Sequence, residues 1–83
     1  MIIDVSKLPD EVRGWPYAAR DADGTVWAFS GEPVCRMFSG RWAAVRCCIR
    51  YVLSDAVFDH GDEHWTDSLI DLRPAWAELE DME

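Results

Sequence analysis

The chain has 83 residues, 49% of them hydrophobic and 12% aromatic, and carries a formal net charge of −8. One domain of this length sits near the lower limit for a single core, leaves little room for a substrate cleft besides, and needs its five Trp, three Phe and two Tyr side chains largely inside. The acidic balance argues against nucleic-acid binding, which takes Lys and Arg in excess, and no apolar run of about 18 residues or basic-then-apolar leader is found, so a soluble, cytoplasmic protein is expected.

In chain order, residues 1–5 open with a short apolar run suited to an edge strand. Ser6, Pro9, Asp10 and Glu11 then supply the capping, proline and early acidic signals of about one helical turn. The next segment organises the rest. Residues 15–20 and 25–29 are aromatic-rich runs separated by Asp21, Ala22, Asp23 and Gly24, which reads as a β-hairpin whose Gly takes a positive φ. A three-residue loop at 22–24 places Ala19 opposite Trp27 and Tyr17 opposite Phe29, so that Trp15, Tyr17, Trp27 and Phe29 share a face. A two-residue turn on Asp23 and Gly24 would split the aromatics, because a one-residue slip inverts every side chain. The three-residue loop is therefore expected. Pro16 removes a ladder donor and should start the strand or hold it at an edge.

Residues 30–33 form a loop. Residues 41–53 fit two periods. As a strand, Ala43, Val45, Cys47, Ile49, Tyr51 and Leu53 are apolar against Arg46 and Arg50; as a helix, the two arginines share a stripe opposite Trp42, Val45, Ile49 and Val52. The β-branched and aromatic content, with Gly40 marking a turn, favours the strand. After Ala56, Val57 and Phe58 comes a polar loop at 59–63, then a weakly alternating run at 64–72 suited to a last strand or strand pair. Pro74 suits the start of a helix that docks Trp76 and Leu79 on the sheet, with residues 80–83 fraying. The expected fold is one mainly β domain, 1–83: a small antiparallel sheet or partly open barrel built on the N-terminal hairpin, with a short C-terminal helix. The alternative is α+β with 41–53 helical.

Gly14, Trp15, Pro16, Tyr17, Ala18, Ala19, Arg20 and Asp21, followed by Asp23, Gly24, Thr25 and Trp27, then Pro33, Gly40, Trp42 and the run Trp65, Thr66, Asp67, together resemble small accessory proteins encoded by bacteriophages and prophages. The resemblance is carried mainly by the hairpin. It implies a phage or prophage setting and no particular activity.

Three cysteines, Cys35, Cys47 and Cys48, are an odd number with two adjacent, so buried, reduced thiols are expected rather than disulfides. His60 and His64, with Asp59, Asp62, Glu63 and Asp67, form the one metal-like cluster, but Gly61 interrupts the helical spacing that would aim both imidazoles at one ion. A solvated acidic loop and no metal or other cofactor are expected. No sequence feature activates a thiol or orients a base, which argues against an enzyme. The aromatics Trp15, Tyr17, Trp27, Phe29 and Trp42, alternating with Arg20, Arg41, Arg46 and Arg50, resemble a stacking surface for single strands, yet a core role is favoured.

Charge is unevenly placed: residues 1–54 hold six acids and seven bases, whereas residues 55–83 hold ten acids and one base, Arg73. The expected function is that of a non-enzymatic acidic protein-binding accessory factor of phage origin, with Asp59, Asp62, Glu63 and Asp67 facing a basic protein surface. The alternative is a structural or self-assembling β protein pairing through an exposed edge, and a less favoured one is a metal-dependent or thiol enzyme. No nucleic acid or membrane partner is expected, and the chain should be a monomer or weak homodimer.

Overall fold

A computed structural model describes residues 1–81. Its centre is the hairpin of β2 (Tyr17–Arg20) and β3 (Val26–Phe29), paired with Tyr17 opposite Phe29 and Ala19 opposite Trp27. Asp21 N–H donates to Thr25 O at 2.8 Å and Gly24 N–H to Asp21 O at 3.0 Å, so residues 22–24 are the loop and Gly24 takes its positive φ of 93°. The aromatic alternation thus fixed the register as expected.

Eight strands are present among the described residues: besides the hairpin, β1 (Ile2–Ile3), β4 (Val34–Arg36), β5 (Arg41–Ala43), β6 (Arg50–Val52), β7 (Phe58–Asp59) and β8 (Ile70–Asp71). One sheet has the order β6-β3-β2-β8, while β1 pairs β7 and β4 pairs β5 as two-stranded ribbons, and all the pairings are antiparallel. The fold is therefore mainly β and open, with one α-helix among the described residues, α1 (Arg73–Asp81). No helix of the described residues is long and apolar enough to cross a membrane.

Both faces of the four-stranded sheet are covered. Tyr17, Ala19, Trp27 and Phe29 face Trp42 and Cys35 of the β4–β5 ribbon, together with Trp65 and Leu69. On the other face, Val26 and Ala28 pack with Val12, Leu53, Val57 and Phe58, and Ala18 packs with Val5, Leu72 and Trp76. Trp15 departs from expectation. It joins the Val12 and Ala28 side, because the strand begins only at Tyr17 and Pro16 breaks the alternation before it.

The N-terminal turn is two 3₁₀ turns, Val5–Lys7 and Asp10–Val12. The first is capped by Asp4, whose carboxylate accepts from Ser6 N–H at 3.1 Å. Residues 41–53 are neither one strand nor a helix. Arg41–Ala43 pairs with β4 and Arg50–Val52 with β3, and the chain changes sheet between them through Arg46 at φ 59° and a turn closed by Cys48 N–H to Val45 O at 3.1 Å. Continuous alternation across 43–53 therefore mispredicts which side chains go inside: Leu53 is buried, but Ile49 and Tyr51 are exposed.

The turn also exposes Cys47, with Cys35 and Cys48 half-buried, all three reduced. This corrects the expectation of buried thiols. Cys48 lies against Gly31, where a Cβ would collide with its Sγ, and Ser30 fastens the same approach through Oγ, which accepts from Ile49 N–H at 2.9 Å. The run at 64–72 contains a 3₁₀ turn, Trp65–Asp67, before β8. Pro74 occupies the first turn of α1, Trp76 is buried and Leu79 packs beside it, as the sequence predicts. Glu80 and Asp81 lie within α1, and Met82 and Glu83 lie outside the described residues.

Candidate functional site

The acidic segment is built around a buried cation. Arg20 ends β2 on the sheet face shared with Ala18, Val26 and Ala28, and only 9% of it reaches solvent. Its guanidinium donates through Nη1 to His60 O at 2.7 Å and through Nη2 to Glu63 O. The planar fork suits this task, because it reaches two carbonyls from one rigid group. The Glu63 carboxylate closes the arrangement, with Oε1 3.6 Å from Arg20 Nη1 and 2.5 Å from the Met1 amino group. The Met1 amino group is the largest influence holding the Glu63 carboxyl below its ordinary range, with Arg20 adding to it.

Ser68 locks the other end of this segment. Its Oγ accepts from Arg20 N–H at 2.9 Å and lies 3.1 Å from Arg20 O and 2.6 Å from Trp65 O, either of which it can donate to. Consequently Asp59, Asp62 and Asp67 are exposed, while Glu63 is half-buried and committed to the fold. Three of the four acids expected at the surface stand there, and the fourth anchors the loop that carries them.

Neither histidine is set up as a ligand beside the other. His60 places its ring edge-on against Phe58 at 4.9 Å. His64 caps the following 3₁₀ turn, where Nδ1 accepts from Thr66 N–H at 3.3 Å and sits 2.7 Å from Thr66 Oγ1. No group of three or more His, Cys, Asp or Glu side chains among the described residues is disposed to hold a metal ion.

The aromatics divide by position. Trp42 and Phe29 are buried, and Arg50 lies over the Trp27 ring at 4.2 Å. Met37 and Phe38, in the turn between β4 and β5, and Tyr51 in β6 are exposed. A cleft of about 490 Å³ beside the β1–β7 ribbon is lined by Ile2, Ile3, Phe58, Asp4, Lys7 and Asp59 among others. Its Asp4 is already engaged by Ser6 at 2.5 Å and by Lys7 at 3.9 Å.

Asp21, which in the sequence stands out only as a turn residue, is a second polar anchor of the fold. It is buried, and its two carboxylate oxygens accept from Trp42 N–H at 2.7 Å and Trp27 Nε1–H at 3.0 Å. Ala22 N–H adds a bond to Gly40 O at 2.9 Å. The tip of the first hairpin is thereby fastened to β5. The hairpin register already held the signal for Arg20, since it sets that side chain on the same face as Ala18 and Ala28. Nothing local marks Asp21 or Ser68, whose partners lie as far as 21 and 48 residues away.

Comparison with known proteins gives no match to this chain among family models, curated proteins or solved structures.

Proposed function

We propose that this chain is a non-enzymatic protein-binding accessory factor of the kind that bacteriophages and prophages encode, acting in the cytoplasm, and that its acidic segment meets a basic surface on its partner. The observation that carries the reading is the Arg20 clamp on the carbonyls of His60 and Glu63. It supports a loop that is ordered before binding, so that Asp59, Asp62 and Asp67 meet a partner with little conformational entropy left to lose. The phage setting rests on the hairpin resemblance.

Electrostatic steering of this kind is screened beyond about 8 Å at physiological ionic strength, so the association rate should fall steeply as salt rises. The variant combining Asp59→Asn, Asp62→Asn and Asp67→Asn tests the surface, with Glu63 retained because it belongs to the loop's anchor. Its melting temperature should match the parent's, and it should recover less of a basic partner from host lysate. Equal recovery of the same partner by both proteins sinks the acidic-surface reading.

A further inference from the structure

We infer that Cys47 and Cys48 form a redox site, a dithiol that exchanges with small-molecule disulfides of the glutathione type and closes to a disulfide between neighbouring residues. Closing it loosens the junction between the β4–β5 ribbon and the four-stranded sheet. Three observations meet in one turn. Arg46 is the one non-glycine residue at positive φ among the described residues, at 59°, a strained conformation of the kind that gathers at switch regions. Cys47 is exposed and Cys48 half-buried, both reduced, so one sulfur meets reagents from solvent while the other waits beside it. Cys48 Sγ in turn rests on Gly31, where a Cβ would collide with it.

The turn is closed by Cys48 N–H to Val45 O at 3.1 Å, where the chain leaves the β4–β5 ribbon for β6 and the four-stranded sheet. Beyond the Cys48 contact with Gly31, loop 30–33 holds it through Ile49 N–H to Ser30 Oγ at 2.9 Å and Ser30 N–H to Ile49 O at 3.0 Å. Cys35 is packed against Ala19, Phe29 and Trp42, which leaves Cys47 as the thiol that an oxidant reaches first.

The chemistry is thiol–disulfide exchange. The Cys47 thiolate attacks one sulfur of the small disulfide, whose S–S bond breaks and whose other half takes up a proton and leaves as a thiol. The Cys48 thiolate then attacks the Cys47 sulfur of that mixed disulfide and expels the second small thiol. Cys47 and Cys48 together lose two electrons and two protons, and the oxidant gains both. Neighbouring Cα atoms are about 3.8 Å apart, below the span of about 4.4–6.8 Å usual for a disulfide. The ring is therefore strained and easily reduced, which suits a reversible site rather than a staple. Closing it turns Cys48 Sγ toward Cys47 and off Gly31, so the fold opposes the ring and the ring loosens the fold by the same factor. None of this involves the acidic segment or its partner.

The test equilibrates the full chain with mixtures of reduced and oxidised glutathione, quenches with acid, alkylates the free thiols and maps them by mass spectrometry. Trypsin cuts after Arg46 and Arg50, so both sulfurs leave in one short peptide. That peptide should lack two hydrogens and carry no alkyl group, Cys35 should stay free, and excess reduced glutathione should reverse the change. Cys48→Ala should stop at the mixed disulfide on Cys47. Gly31→Ala, which displaces Cys48 Sγ, should shift the equilibrium toward the disulfide roughly tenfold, within the usual span of such couplings. If that variant does not fold, amide exchange decides: Ser30 and Ile49 should exchange faster in the oxidised parent than in the reduced one. A stable mixed disulfide on Cys47 in the parent, a disulfide that includes Cys35, no oxidation at all, or a ring that forms with neither the Gly31→Ala shift nor faster exchange overturns the inference.

Discussion

Single buried polar side chains set the terms of this small fold. Arg20 is the clearest case, because its removal leaves the His60 and Glu63 carbonyls without their donor. Arg20→Ala should cost about 2–3 kcal/mol, the range for bonds to a charged group, or roughly 10–20 °C in the melting temperature of a domain this size. Arg20→Lys should recover only part of that, lacking the fork; full recovery in a thermal melt would show that charge alone matters.

Asp71 behaves differently because it is exposed. Its carboxylate accepts from Arg73 N–H at 3.0 Å, Nε at 2.9 Å and Nη2 at 2.6 Å, and these bonds hold its pKa down from 3.8 to about 2. A carboxyl depressed on folding stabilises the native state above its unfolded pKa and loses that contribution as pH falls through the folded one. Asp71→Asn should therefore flatten the loss of stability between pH values of about 4 and 2, measured by urea unfolding across that window. An acid limb unchanged by the substitution would show that other carboxyls govern it.

At the scale of elements, close approach decides where the chain can change sheet. The loop at 30–33 and the turn at 45–48 touch where Gly31 meets Cys48, and no larger residue fits unless Cys48 gives way. Gly31→Ala should destabilise the protein by about 1–3 kcal/mol, the usual cost of overpacking, and Cys48→Ala in the same background should relieve most of it. A double-mutant cycle in denaturant measures the coupling; additive effects would mean that the two segments relax independently. The helix shows the complementary case. Trp76 of α1 donates from Nε1 to Trp15 O at 2.8 Å while its ring fills the core beside Leu72 and Ala18, so one side chain both satisfies a loop carbonyl and docks the element.

Across the whole molecule, three small cores share one four-stranded sheet. Cys47 is exposed while Cys35 and Cys48 are half-buried, so Ellman's reagent should label one thiol per chain quickly in the native state and the others more slowly. Full labelling at one slow rate would place Cys47 inside instead. The charge imbalance takes spatial form as well. Arg36, Arg41, Arg46 and Arg50 are exposed along residues 36–50, whereas Asp55, Asp59, Asp62 and Asp67 are exposed along residues 55–67.

Local features were legible in the residues alone. The hairpin, its loop at 22–24 and its register follow from aromatic alternation and one glycine, and α1 from Pro74 with the spacing of Trp76 and Leu79, whereas the single helical turn expected at 6–12 is two 3₁₀ turns, the first capped by Asp4 and the second without a side-chain cap. Each depends on neighbours a few residues apart, where side-chain facing and backbone preference act directly. The sequence also placed Asp59, Asp62 and Asp67 at the surface, as uncompensated carboxylates must be. The division of residues 41–53 between two sheets came from long-range pairing, because both apolar periods fit and the choice lay with distant strands β3 and β4. For the same reason long-range contacts drew Glu63 toward Arg20, buried Asp21 beneath two tryptophans and joined Ser68 to β2: a polar side chain goes inside only where hydrogen-bond partners await it, and those partners are up to 48 residues away in the chain.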